Sequence, residues 1–211
     1  MIKITAMAVV HPLLSRRPAR ALPSYSVVSE APDIQVAQGR VHEACGPARR
    51  TFAMWLAMQT QGPVFWVAVD WEKDRLHAEG VSAWIDPARL FFVSPRRAED
   101  LFWTLEEILR SGAVAFAVAE LPALPNLTQV RRLHLAAETG AQMGQFTPTG
   151  LLTTPGTGGA PGVETRWHLA QKHSAGTDSW ALERLRARTA PRKSWSIHKP
   201  QTTLQPRIKS A

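Results

Sequence analysis

The chain has 211 residues, of which 45% are hydrophobic, and a formal net charge of +8. This length supports one sizeable hydrophobic core, and the composition predicts a folded protein of α/β type. No apolar run approaches the roughly 18 residues of a membrane span, and the first apolar stretch is broken by His11 and Pro12. The sequence therefore predicts a soluble, cytoplasmic protein with no membrane partner. A lone cysteine, Cys45, excludes an internal disulfide.

The charge is distributed unevenly along the chain. Residues 1–163 carry 15 Lys/Arg against 14 Asp/Glu, whereas residues 164–211 carry 10 against 3. A nearly neutral body with a basic end is typical of a protein that contacts a polyanion or an acidic partner. The alternative is a basic end that only improves solubility.

Apolar segments with strand and helix patterns alternate through the middle of the sequence. Residues 1–39 show no sustained period and predict an irregular leader. Strands that are apolar on both faces and separated by helices predict a mainly parallel sheet covered by helices on both sides. We expect the strands that begin near residues 41, 64, 90 and 114 to be buried between helices. The predicted strands are 41–45, 63–69, 89–94, 114–121 and 150–155, and the helices are 48–59, 95–111 and 127–138.

Particular residues predict where two of these helices begin and end. Ser94 can cap the second helix, with Pro95 in its first turn, and Gly112 ends it. Asn126 can cap the third helix.

The pattern changes after residue 155. A glycine-rich segment, 155–162, precedes two alternating strands at 163–170 and 180–189, which predict an antiparallel edge of the sheet. In the second strand, Arg184, Arg186 and Arg188 are spaced two apart and are expected on one face. The sequence thus predicts a leader (1–39), an α/β domain (40–190) and a basic, partly disordered tail (191–211).

The turn GPARRT, residues 46–51, lies between the first strand and the first helix, where nucleotide-binding proteins carry G-x-x-x-x-G-K-[ST]. Six residues stand where eight are required, Arg50 replaces the lysine, and Thr51 keeps the hydroxyl that would meet magnesium. An arginine can hold phosphate, but each missing N–H donor costs about 1 to 3 kcal/mol. From Gly46 onward, the loop therefore predicts no ATP hydrolysis, no catalytic residue and no bound cofactor.

Four segments resemble the RecA recombinase family. RSGAVAFAVAEL (110–121) is similar to its Walker B strand, with Glu120 in the acidic place, and VAVDWE (67–72) is similar to the strand end that carries its catalytic glutamate, at Glu72. TPGTGGAPGVETRWHLAQK (154–172) resembles the glycine-rich second DNA-binding loop, and ERLRARTAPRKSW (183–195) resembles the basic final strand. The resemblance implies a RecA-like α/β core.

Within that superfamily the sequence more closely resembles the ImuA family of RecA- and SulA-like accessory proteins. The resemblance is carried by VHEACGPARRTFAMWLA, VSPRRAEDLFWTLEEILRSGAVAFAVAELP, VRRLHLAAE, GVETRWHLA and LERLRART. It implies a role in SOS-induced, error-prone translesion synthesis beside ImuB, a polymerase-like protein without catalysis, and an error-prone replicative-type polymerase. It leaves open whether RecA or DNA is also bound.

Two alternatives to a noncatalytic scaffold stay open at this point. One is a RecA-type ATPase or recombinase-like enzyme, for which Glu72 and Glu120 would bind magnesium and activate water, although both also fit as solvated residues at strand ends. The other is a SulA-like inhibitor of cell division. The seven histidines show no metal-ligand spacing, which predicts no metal site.

The basic end supplies the candidate contact residues. Its arginines, together with one tryptophan and the tail, are expected to bind DNA or a partner protein. These residues are Arg184, Arg186, Arg188, Arg192, Lys193 and Trp195.

Overall fold

The computed structural model describes residues 22–28, 31–72, 74–174, 177–199 and 207–208, with backbone alone from residue 199 onward. Within these residues, no helix is long and apolar enough to cross a membrane. The strands are β1 (Ser24–Ser26), β2 (Gln35–Ala37), β3 (Val41–Cys45), β4 (Val64–Val67), β5 (Leu90–Val93), β6 (Phe116–Glu120), β7 (Thr149–Thr153), β8 (Thr165–Gln171), β9 (Asp178–Ala187), β10 (Lys193–Lys199) and β11 (Arg207–Ile208). The α-helices are α1 (Arg49–Met58), α2 (Ala78–Ser82), α3 (Ala98–Ser111) and α4 (Leu127–Met143).

Nine strands form one mixed sheet in the order β11-β10-β9-β8-β3-β7-β6-β4-β5. The strands from β8 to β5 run parallel, and β9, β10 and β11 add antiparallel strands at the other end. The predicted fold class, an α/β core with a mainly parallel sheet and antiparallel edge strands, is confirmed. Parallel neighbours are far apart in sequence, so each connection passes over one face of the sheet as a helix or long loop.

The sheet separates two hydrophobic cores. On one face, α1 packs with the β1–β2 hairpin and buries Phe52, Trp55 and Trp167 completely. On the other face, α3 and α4 bury a leucine-rich core that includes Leu105 and Leu133. A sheet covered on both faces requires apolar residues at successive positions, which explains the continuous apolar strands of the sequence.

One predicted helix start is confirmed and one is wrong. Asn126 Oδ1 accepts a hydrogen bond from the Gln129 N–H, and Gln129 Oε1 accepts one from the Asn126 N–H, so α4 begins with a reciprocal cap. In α3, the N-cap is Arg97 rather than Ser94, and its guanidinium binds Asp100 through two 2.9 Å contacts. The predicted end of α3 is confirmed, because Gly112 is its left-handed C-cap at φ +59°.

The strand near residue 90 is not buried between helices as expected. β5 lies at the end of the sheet, and its side chains are half-buried or exposed. Four apolar residues in a row show that a strand packs against something, but they do not show whether it has one neighbouring strand or two. Hydrophobicity alone therefore placed it too deep.

The predicted boundaries at both ends also differ from the structure. Part of the expected leader forms the β1–β2 hairpin, which buries Val27, Ile34 and Val36 against the core. Part of the expected irregular tail is β10, paired with β9 over seven residues. Prolines at 191 and 200 bracket β10, and they suggested an irregular segment although they only limit the strand's length. The rest of both segments lies largely outside the described residues.

Candidate functional site

The turn GPARRT connects β3 to α1 beside the glycine-rich segment 155–162. Gly46 has φ +87°, and a Cβ there would lie 2.6 Å from the Leu169 carbonyl oxygen, so only glycine fits. The Gly46 N–H donates to Gly156 O at 3.0 Å. The turn is therefore packed tightly against two neighbouring segments of the protein.

The next N–H groups of the turn are also bonded within the protein. The Ala48 N–H donates to Leu169 O at 3.0 Å, and the Arg49 N–H donates to Gly46 O at 3.3 Å. Pro47 has no N–H to donate. A phosphate cradle depends on such groups pointing at the ligand, and here these donors point at carbonyl oxygens.

Arg50, in the place of the lysine, contacts Glu120, in the acidic place at the end of β6. Arg50 Nε donates to Glu120 Oε1 at 2.6 Å, and Nη2 donates to Oε2 at 2.7 Å. Arg50 Nη1 also donates to Asp74 Oδ2 at 2.7 Å, and Trp66 Nε1 donates to Glu120 Oε1 at 3.0 Å. The hydrogen bond to Glu120 is the chief reason that the pKa of Arg50 lies above its ordinary value. A bidentate pair of this kind uses the groups that would hold phosphate and magnesium.

The other two predicted remnants lie nearby but make no comparable contact. Glu72 Oε1 accepts a hydrogen bond from the Asp74 N–H at 3.3 Å. Thr51 is half-buried in the first turn of α1. Glu72 and Glu120 share a cavity of about 20 Å³ with Trp66, which is room for about one water molecule.

A second arginine–glutamate pair lies on the other side of the turn, and the sequence analysis did not single it out. Glu43, in the middle of β3, is fully buried and accepts hydrogen bonds from Thr154 Oγ1 at 2.7 Å, the Gly159 N–H at 2.8 Å and the Ala160 N–H at 3.0 Å. Arg166 Nε donates to Glu43 as well, and Arg166 Nη2 donates to Ala160 O at 2.9 Å. This pair fixes the glycine-rich segment to the sheet. The available signal was a glutamate inside an otherwise buried strand.

The predicted common face of Arg184, Arg186 and Arg188 is wrong. β9 pairs Arg186 with Arg166 but Arg184 with Trp167, so one extra residue of β9 is accommodated there. Because neighbouring residues of β8 point to opposite faces, this β-bulge turns Arg184 to one face and Arg186 to the other. Period-two counting fails wherever such a residue is inserted.

Arg184 is buried, and it holds the two ends of the chain together. Its Nη1 donates to Asp33 O at 2.8 Å, its Nε donates to Pro191 O at 3.0 Å, and its guanidinium lies 5.3 Å from the Trp195 ring centre. Lys193 pairs with the Asp33 carboxylate. Trp195 is half-buried, with its ring 5.8 Å from that of Trp167.

The exposed part of the basic end is therefore smaller than predicted. Arg186 and Arg192 are exposed, and Arg188 is two-thirds exposed with its Nε 3.6 Å from Glu164. A groove of about 840 Å³ lies beside them, between the β1–β2 hairpin and the β9–β10 turn. Its charged lining residues are Asp33, Arg40, Glu164, Arg184, Arg188 and Lys193.

In the part of the chain that the structure describes, no group of three or more His, Cys, Asp or Glu side chains is placed to hold a metal ion. Comparison with models of known protein families finds no match for this chain. Comparison with curated proteins finds none either. The geometry of the turn and of the basic end is therefore the basis for a functional proposal.

Proposed function

We propose that this chain is a noncatalytic, RecA-like accessory protein of error-prone translesion DNA synthesis. Its role is to connect an ImuB-type polymerase-like protein, and through it an error-prone replicative-type polymerase, in the SOS response in the cytoplasm. The sequence segments that resemble the ImuA family support the pathway, and the α/β architecture is consistent with the RecA-like core that the resemblance implies.

The bidentate contact between Arg50 and Glu120 is the observation that carries the noncatalytic part of the proposal. To bind nucleotide, the protein would have to break this ion pair, expose the Glu120 carboxylate to magnesium and free N–H groups bonded to Gly156, Leu169 and Gly46. Each broken hydrogen bond to a charged group costs about 1.5 to 3 kcal/mol. The ground state is therefore arranged as a structural junction.

Isothermal titration with ATP and magnesium tests this part. We expect no heat of binding at millimolar nucleotide, either for the native chain or for Arg50→Ala. A micromolar dissociation constant that Arg50→Ala abolishes would contradict the proposal and favour the RecA-type ATPase. Glu79→Ala, an exposed change on α2, is the matched control for handling and folding.

The scaffold part of the proposal places partner contact at the basic end. Arg186, Arg188 and Arg192 are the exposed cations there, and the adjacent groove offers room for a protein segment. Arg184, Lys193 and Trp195 contribute by holding the β9–β10 hairpin in place. Titrations against single-stranded DNA and against an ImuB-type protein, with the intact chain and with the three exposed arginines changed to alanine, test this placement.

Salt separates the two ligands in that experiment. Contact with phosphates weakens steeply as salt rises, because counterions are released on binding, whereas an apolar protein contact responds much less. We expect the triple change to weaken binding of the polymerase-like protein at physiological salt. If the triple variant binds both ligands as the native chain does, the contact surface lies elsewhere.

A further inference from the structure

The β5 end of the sheet is an unprotected apolar edge. Among the described residues, β5 pairs only with β4, so one side of its backbone has no strand partner. Phe91 and Phe92 are about half exposed, at 49% and 51%. Because successive strand residues alternate, these two rings lie on opposite faces of the same edge.

Exposed aromatic side chains are concentrated at this edge. Four large aromatics are exposed in the described part of the chain: Trp71, Phe91, Phe92 and Trp103. Trp71 adjoins the edge because the preceding residue, Asp70, donates its N–H to Pro95 O just beyond β5. Trp103 lies on α3, the next element. Aromatic residues are enriched at protein interfaces and supply much of their binding energy.

Proteins usually protect an edge strand with charged side chains, a bulge or a covering segment. β5 has the sequence LFFV, without a charge, and pairs with β4 without a break in register. The opposite end of the sheet differs, since its last strand, β11, has two residues and includes Arg207. The unprotected edge is thus confined to one end of the sheet.

The charge around β5 is opposite to that of the protein as a whole. Residues 70–111, which follow β4 and run through β5 to the end of α3, carry nine Asp/Glu and six Lys/Arg, a net charge of −3 in a chain of +8. A negative surroundings repels phosphate and attracts cationic groups. It also disfavours pairing between the β5 edges of two copies of this chain, because each copy brings the same negative region.

We propose that the β5 edge binds an extended, basic segment of a partner protein, which adds a strand beside Leu90–Val93. Backbone hydrogen bonds to β5 would hold the segment, apolar side chains at alternate positions would cover Phe91 and Phe92, and its cations would face the acidic residues around them. This contact is independent of the basic end and of the pathway proposed above.

Hydrogen exchange of the Leu90–Val93 amides, followed by NMR on the full chain, tests the proposal. The probe is a short synthetic peptide in which valine alternates with lysine. We expect it to slow exchange at β5 about ten-fold when it is present at about ten times its dissociation constant. A peptide in which valine alternates with glutamate should not slow exchange, and the lysine peptide should weaken as salt rises.

Three controls separate strand addition from nonspecific adhesion. The lysine peptide with alternate backbone nitrogens methylated keeps its charge and side chains but cannot pair, and it should not slow exchange at β5. Phe92→Ser should weaken the lysine peptide, whereas Leu135→Ser, at a 62% exposed site on α4, should not. Equal binding by the methylated peptide would overturn strand addition.

The remaining outcomes each decide the proposal. An absence of protection at β5 at any soluble peptide concentration overturns it. Slow exchange at β5 in the free protein overturns it in favour of a segment of this chain, and a dimer that Phe92→Ser dissociates in sedimentation experiments overturns it in favour of a second copy. Because neither nucleotide nor the arginines at the basic end takes part, these results leave the proposed function standing or falling on its own tests.

Discussion

Two arginine–glutamate pairs flank the turn between β3 and α1, and they differ mainly in burial. In the pair of Arg50 and Glu120, the side chains are 21% and 11% exposed. In the pair of Arg166 and Glu43, they are 19% and 0% exposed, and the glutamate accepts three further hydrogen bonds from Thr154, Gly159 and Ala160. The first pair joins two elements at the rim, whereas the second fixes a whole loop.

The comparison shows how burial changes what the same chemistry contributes. A carboxylate removed from water must be compensated by several donors, and losing one side of such a pair leaves an uncompensated charge. A pair near the surface retains solvent as a substitute partner and contributes less. We therefore expect the fold to depend on Glu43 more than on Glu120, although the sequence resemblance draws attention to Glu120.

Removing Glu43 should have the largest effect. Glu43→Ala leaves the Arg166 guanidinium and the donors of the glycine-rich segment without their acceptor, which should lower the free energy of unfolding by about 3 to 5 kcal/mol. Urea denaturation measures the loss. The exposed change Glu79→Ala should be nearly neutral, and a loss for Glu43→Ala as small as that of this control would contradict the role given to the buried pair.

Lowering the pH should have the next largest effect, through the residue beside Glu43. His42 is fully buried, its Nε2 contacts Ala37 O at 2.9 Å, and burial lowers its pKa from 6.5 to about 3. The unfolded chain binds this proton below pH 6.5 and the folded chain does not, so stability falls as the pH falls. The loss should be about 1.4 kcal/mol per pH unit between pH 6.5 and pH 3.

Denaturation at several pH values between 7 and 5 checks this slope before the carboxylates begin to titrate. Burial also lowers the pKa of His134, which adds a slope of the same sign. His42→Gln should flatten the dependence, and the exposed change His77→Gln should leave it as it is. An unchanged slope in His42→Gln would show that His42 does not carry it.

Breaking the rim pair should have the smallest effect. A double-mutant cycle of Arg50→Ala and Glu120→Ala should give a coupling free energy of about 1 kcal/mol, since both side chains retain some contact with water. High salt should reduce it. A coupling as large as the loss for Glu43→Ala would remove the distinction between the two pairs.

Sequence patterns predicted the order of elements well because buried strands and helices have different periods. The capping residue Asn126 and the terminal Gly112 were also readable, since each satisfies backbone groups within a few residues of itself. The site was less predictable. The shortened turn could be counted in the sequence, but the partners of Arg50 lie 24 and 70 residues away, at Asp74 and Glu120.

The misplaced features share a cause, which is that they depend on neighbours distant in sequence. The burial of Arg184 depends on Asp33, 151 residues earlier, and on a bulge that only strand pairing reveals. The exposure of β5 depends on the number of strands beside it. Glu43 gave a signal in its own strand, but its acceptor role depends on the glycine-rich segment more than 110 residues later.

The contact of Arg184 and Lys193 with Asp33 also has a consequence for synthesis on the ribosome. The β1–β2 hairpin is among the first segments to emerge, but its partners are 151 and 160 residues later in the chain. Val27, Ile34 and Val36 must therefore wait, without their final packing, until β9 and β10 have been translated. Contacts of such large sequence separation form slowly, and chaperones bind apolar segments exposed during this interval. The nascent chain is thus most vulnerable at its beginning, and it becomes secure only when its end is made.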